Sequence, residues 1–259
     1  MERSIQTMTR AITGVLHGLK PSVYLYGSAT MEDFHPGWSD IDLLVLTQQS
    51  ISTAQAEKLL TLRQTLPFEY PDIRYFRSFE GCMLSLGAFS KHHPAIVVYW
   101  GTSGQRITDR CPHDAFCLWQ LQHSSRLLYG EDVRSLLPIP TISDLYSGVA
   151  QHLAAVLQHG RGSRSIYAFG WLLDIARGLY TLRYDAITSK TAAGEWALSE
   201  NLCPDSEALS TALAVRRNPA LMQQPEIIAR AEALTPAISA FAAVLQHELA
   251  SRNVPLYRI

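Results

Sequence analysis

Apolar residues fall at Ile5, Met8, Ile12, Val15, Leu16 and Leu19, a spacing of three and four that predicts an amphipathic helix ending around Gly18 and Pro21. After Pro21 the period changes. Residues 23–27 (VYLYG) are rich in β-formers and run into Gly27-Ser28. Beyond a polar turn at His35-Pro36-Gly37, residues 41–46 form a second strand-like run. Residues 53–66 read as a helix, and 73–76, 79–86 and 95–100 as further strands, so the first hundred or so residues mix α and β elements. From Asp114 onward strand signals vanish. Candidate helices cover 114–128, 143–159, 164–184, 191–201, 206–215, 225–234 and 237–251, with breaks at Pro138/Pro140, Gly160-Arg161-Gly162, Pro204, Pro219 and Pro236. The division falls near residues 138–143 and predicts two domains, 1–140 and 141–259.

The 259 residues are 47% hydrophobic, enough for a sizeable core. Lys+Arg 22 against Asp+Glu 23 leave a net charge of -1, so no bulk positive field exists to hold a polyanion, and a generic nucleic-acid partner is not expected. The longest unbroken apolar run, about residues 95–100, is far too short to span a bilayer, and the first ten residues carry no secretory signal. The expected location is the cytoplasm, with no membrane partner. Four scattered cysteines point to reduced thiols, and the gaps among Cys111, His113, Cys117 and His123 match no zinc spacing.

The candidate chemistry lies in Leu25-Tyr26-Gly27-Ser28 and, after eleven intervening residues, Asp40-Ile41-Asp42-Leu43-Leu44-Val45. Residues two apart on a strand share a face, so Asp40 and Asp42 would present two carboxylates together while Ile41 and Leu43 enter the core. Two like charges on one face make sense if a hard divalent cation neutralises them, and Mg²⁺ is typically held by one or two carboxylates plus substrate phosphates. Gly27 would let a phosphate approach the backbone. Ser28, at a possible helix N-terminus, would donate to phosphate oxygens.

A strand, a Gly-Ser, a turn and an acidic strand together resemble the nucleotidyltransferase superfamily. More narrowly, LYGSA…FHPGWSDIDLLV is similar to the aminoglycoside adenylyltransferases that modify spectinomycin and streptomycin. Two later blocks, ARGLYTL at 176–182 and ITSKTAAGEWAL at 187–198, look like the helical C-terminal domain of those enzymes. The resemblance implies an α+β fold, in which an N-terminal mixed-sheet transferase domain precedes a helical bundle, with ATP as co-substrate, Mg²⁺ as cofactor and a small-molecule hydroxyl as acceptor. It also implies a third carboxylate acting as base. Glu80 matches it best, at the head of a strand-like run, with Asp72 the rival.

Lys190 opens a predicted helix, where a cation opposes the helix dipole unless an anion binds there too. The resemblance assigns it to the triphosphate, and Arg177 with it, although Asp174 three residues earlier would make an ordinary intrahelical pair with Arg177. Where the drug-modifying relatives carry acids, this chain has Arg161 and Arg164, a departure that points to an acceptor less cationic than streptomycin. Tyr167, Trp171 and Trp100 could stack on a substrate, or simply fill a core. Two other functions compete with small-molecule transfer: adenylylation of a protein side chain, and nucleotide binding without catalysis.

Overall fold

A computed structural model describes residues 1–91, 96–101, 104–111, 113–160 and 167–254. The apolar positions of the first segment do what their spacing predicts: in α1 (Glu2–Val15) Ile5, Met8 and Ile12 are buried on one side. The chain then turns through Gly18 into β1 (Ser22–Tyr26), crosses a loop to β2 (Ile41–Thr47), and enters α2 (Thr53–Glu69). Ser52 caps α2, taking the Gln55 amide N–H while the Gln55 side chain accepts from the Ser52 backbone. There follow β3 (Phe79–Ser85), α3 (Leu86–Lys91), β4 (Val97–Gly101), β5 (Gly104–Thr108), α4 (Ala115–His123) and β6 (Arg126–Tyr129).

These strands make one six-stranded mixed sheet in the order β5-β4-β3-β2-β1-β6. Only β2 and β3 run parallel, joined through α2; the other pairs are antiparallel. Alternation sorts the side chains. Leu25, Ile41, Leu43 and Phe79 face a core shared with Ile5, Met8 and Ile12 of α1 and with Ala56 and Leu59 of α2. Tyr24, Leu44 and Cys82 project from the opposite face, into a cluster with Leu121 of α4.

Four elements differ from the sequence expectation, the first being α3, a helix over a stretch for which no element of its own is expected. Residues 73–76 are not a strand: a 3₁₀ turn covers Arg74–Arg77, because the run is too short and follows a turn at Pro71-Asp72. The helix expected over 114–128 stops at His123, and Arg126–Tyr129 pairs with β1 instead, with a bulge between Val23 and Tyr24. β5 has no counterpart in the expected elements. Both unforeseen strands lie at the sheet's edges, where strand formation depends on a partner rather than on a buried alternating face.

The second compact unit comprises Pro140–Ile259 together with His35–Trp38; the first comprises Met1–Phe34 and Ser39–Ile139. Its helices are α5 (Ile142–Ala155), α6 (Ala168–Tyr184), α7 (Lys190–Ser199), α8 (Ser206–Arg217), α9 (Pro225–Glu232) and α10 (Thr235–Ser251). α6 is the central helix, burying ten residues from Ala168 to Leu182 against α5, α7, α8 and α10. Within this unit the His35–Trp38 segment reaches the helices: the His35 ring meets the Thr191 hydroxyl at 3.4 Å, and Trp38 packs beside Tyr167. No single helix among the described residues is long and apolar enough to cross a membrane.

Candidate active site

The end of β1 sets the site. Gly27 takes a left-handed φ of +73°, and a Cβ built on it would lie 2.1 Å from Asp42 Oδ2, so only glycine admits the Asp42 carboxylate here. Gly27–Thr30 form a single 3₁₀ turn, closed by the Thr30 hydroxyl donating to the Gly27 carbonyl at 3.0 Å. The helix N-terminus expected behind Ser28 is therefore no more than this one turn. Ser28 itself is half-exposed.

Register brings the acids together. Tyr26 lies opposite Asp42 across the antiparallel pair β1–β2, and Asp42 lies opposite Glu80 across the parallel pair β2–β3. Neighbouring strands are roughly 4.8 Å apart and paired residues share a face, so Tyr26, Asp42 and Glu80 form one row. Asp42 and Glu80 are both half-buried and border a cavity of about 190 Å³. Asp40 differs slightly from expectation: β2 begins at Ile41, and Asp40 stands exposed one residue before it. The rival acid Asp72 is exposed in the turn ahead of Arg74–Arg77, and Glu80, not Asp72, is the acid in register with Asp42.

Two neighbours of the acids carry no sequence signal. Tyr26 is pushed well above the ordinary phenol range by burial, and further by Cys117 and the Asp42 charge, so it stays a neutral donor. Arg63 reaches from α2 and donates to the Gly101 carbonyl through both terminal nitrogens (3.1 Å each) and to the Gly104 carbonyl at 3.0 Å. Burial lowers its pKa, opposed by the charges of Glu80, Tyr99 and Asp40. An arginine on a helix reads as solvated until the sheet register places β4 beside it.

No three His, Cys, Asp or Glu side chains among the described residues converge closely enough to hold a metal alone. The donors present, carboxylates at Asp40 just before β2 and at Asp42 within it, are of the kind Mg²⁺ takes together with waters and phosphate oxygens.

In the second unit, Ser189 caps α7 by accepting from the Ala192 amide, and Lys190 follows it. Lys190 Nζ sits 2.9 Å from Asp174 Oδ1, and the Arg177 guanidinium 3.2 Å from the same oxygen. Both cations assigned to phosphate thus meet one protein carboxylate, the intrahelical pair for Arg177 included. Burial pushes Asp174 up, but Lys190 and Arg177 outweigh it and hold the group below the ordinary carboxylate range. Lys190 is lowered by burial in spite of Asp174. Trp100 is fully buried in the core, Tyr167 is 66% exposed, and Trp171 is half-buried. Arg161 and Arg164 lie outside the described residues.

Residues 13–81 match the family model of the nucleotidyltransferase domain, and residues 137–243 that of the aminoglycoside adenylyltransferase C-terminal domain. These are the two domains of a nucleotidyltransferase. As a nucleotidyltransferase with that C-terminal domain, the chain is 26% identical over 200 residues to a spectinomycin 9-adenylyltransferase of Campylobacter jejuni, covering 71% of this chain and 73% of that one. Its fold is similar to that of a spectinomycin adenyltransferase from Enterococcus faecialis solved with ATP and spectinomycin, with a TM-score of 0.70 at 14% identity over 95% of this chain and 99% of that one. The nucleotidyltransferase is accordingly an enzyme of the adenylyltransferase kind, with the α+β architecture that its sequence pattern and motifs implied.

Proposed function

We propose that this nucleotidyltransferase moves AMP from ATP onto a hydroxyl of an aminocyclitol antibiotic of the spectinomycin class, conferring resistance to it. The observation that carries the reading is the β2–β3 register, which sets Glu80 beside Asp42 in a chain with both family domains. The two relatives described above are both spectinomycin enzymes by name, which supports the choice of acceptor. ATP as donor leads us to assign the reaction to the cytoplasm.

The chain's own residues divide the work. Gly27 leaves room for a phosphate at the backbone, and the Ser28 hydroxyl donates to a phosphate oxygen. Lys190 and Arg177 take triphosphate charge, kept oriented by Asp174. Asp40 and Asp42 are the residues that would hold Mg²⁺, which when bound supplies counter-charge and Lewis acidity to the phosphates. Glu80 accepts the acceptor hydroxyl's proton on a carboxylate oxygen as the hydroxyl oxygen attacks the α-phosphorus in line; the bond to the bridging oxygen breaks and pyrophosphate leaves.

Pyrophosphate release with Mg²⁺ and each of the four nucleoside triphosphates, across aminocyclitols, aminoglycosides and plain polyols, tests this. Release should require ATP and a spectinomycin-type acceptor, with streptomycin behind it. Release that ignores the acceptor, or labelling of a protein from ATP with every small molecule inert, would overturn the assignment.

A further inference from the structure

The cavity beside Asp42 and Glu80 has a wall of sulfur that the transfer chemistry leaves unused. Cys82 from β3, Cys111 from the segment after β5 and Cys117 from α4 all border it, and all are free thiols. Their surroundings differ. Cys82 projects from the same face as Glu80, two residues on, opposite Leu44, and is 5% exposed. Cys111 packs against the buried cluster that contains Cys82, and the Cys82 thiol is the main influence on its titration. Cys117 packs against the same cluster, with Tyr26 beside it. Cys111 also borders a second cavity with Asp109 and Arg110, so it is open to a small reagent from a side that does not pass the carboxylates.

We infer that Cys82 and Cys111 form a reversible disulfide under peroxide stress and that this bond shuts down AMP transfer. The chemistry balances in two steps. Hydrogen peroxide oxidises the Cys111 thiol to a sulfenic acid, its O–O bond breaking and one water leaving. The Cys82 sulfur then attacks the Cys111 sulfur, the S–O bond breaks, and the hydroxyl departs with the Cys82 proton as a second water. Two electrons pass from the thiols to the peroxide. Because Cys82 and Cys111 share one buried cluster and one cavity wall, pairing competes with further oxidation. Cys111 is raised above the ordinary thiol range chiefly by its Cys82 neighbour and then by burial, and Cys117 chiefly by burial, so the reaction answers sustained peroxide rather than a pulse.

The bond would tie the segment before α4 to β3 at the floor of the cavity, two residues from Glu80. This inference rests on the transfer function proposed above only for its effect on rate. The test treats the full-length protein with hydrogen peroxide, blocks remaining thiols with iodoacetamide, and maps the peptides by mass spectrometry beside the transfer assay. Expected are a Cys82–Cys111 cross-linked peptide, free thiols falling from four to two, transfer reduced at least tenfold, and recovery with dithiothreitol. Cys82→Ser and Cys111→Ser should each keep, after peroxide, a rate within twofold of the same variant untreated. A different cysteine pair, oxidation to sulfinic acid without a cross-link, or a Cys82–Cys111 cross-link with an unchanged rate would each overturn it. If untreated wild-type protein transfers AMP to no acceptor, the functional assignment is what has failed. The peptide map then decides the disulfide alone: the cross-link upholds it and its absence rejects it.

Discussion

The backbone of Gly27 lies so close to the side chain of Asp42 that one methyl group at residue 27 would sit 2.1 Å from a carboxylate oxygen, far inside van der Waals contact. The Gly-Ser motif and the acidic strand are therefore one steric unit, not two motifs at a fixed spacing. Gly27→Ala meets two penalties: the left-handed φ costs about 1–2 kcal/mol for a residue with a Cβ, and Asp42 must swing away. The expected outcome is a folded protein whose melting temperature falls by several degrees and whose transfer rate falls at least a hundredfold. Ser28→Ala, which removes only a hydroxyl, should retain far more activity. Comparable activity in Gly27→Ala and wild type would show that Asp42 needs no fixed position.

Asp42 and Glu80 face each other across β2–β3, and the function proposed above gives them different tasks, which conservative amides separate. Asp42→Asn removes a metal-binding charge while filling the same space, so transfer should vanish and MgATP binding weaken, measured by calorimetry against ATP alone. Glu80→Gln should keep MgATP affinity within a few-fold and slow transfer roughly a hundredfold or more, the usual contribution of a positioned base. Loss of nucleotide binding in Glu80→Gln would make Glu80 a metal or structural residue.

Why Asp42 was legible in the sequence and Arg63 was not is a matter of range. Strand alternation and a glycine before a turn are local signals, and they place Gly27, Ser28 and Asp42 with only the chain's own period to go on. That Glu80 rather than Asp72 lies beside Asp42 needed the parallel register of β2 with β3, a long-range fact that its place at the head of a strand could not supply. Arg63 is harder still, since nothing in a helical arginine tells that Gly101 and Gly104 will arrive at its tip. β5 and β6 escaped for a related reason. Gly104–Thr108 is largely exposed and Arg126–Tyr129 has only four residues, so neither shows a buried alternating face. Asp174 was legible as the partner of Arg177 from their three-residue spacing, but its ion pair with Lys190 required α6 and α7 to pack.

Tyr24 gives a pH prediction for the fold itself. Its ring is fully buried; its hydroxyl accepts from the Val133 amide at 2.6 Å and donates to Asp132 at 3.1 Å. Burial, chiefly, pushes the phenol up to about 12 from an ordinary value of 10. The folded protein keeps this proton where the unfolded chain has lost it, so the phenol's contribution is complete below pH 10 and is lost as pH rises towards 12. Urea unfolding at successive pH values should show a fall in stability across that window, at most about 1.4 kcal/mol per pH unit from this group. Tyr24→Phe should be less stable at neutral pH by about 1 kcal/mol for each hydrogen bond lost, and its pH slope between 10 and 12 should be shallower. Parallel curves for the two proteins would remove Tyr24 from the alkaline transition.

Arg63 holds the carbonyls of Gly101 and Gly104 while its charge faces Glu80 and Asp40, and substitutions can tell the grip from the charge. Gly81 pairs with Trp100, so Gly101 stands beside Glu80 at the next position of the β3–β4 ladder, and holding its carbonyl steadies the wall next to Glu80. If the grip matters, Arg63→Lys, which keeps the charge but not the fork, should lower the transfer rate about tenfold with little change in the KM for MgATP. Arg63→Gln, which loses the charge as well, should be no better. Because Arg63 would act through Glu80, its substitution should cost much less in a Glu80→Gln background than in the wild type, the non-additivity of residues that work as a unit. Equal losses in both backgrounds would mean that Arg63 supports the fold of the β4–β5 hairpin and not the base.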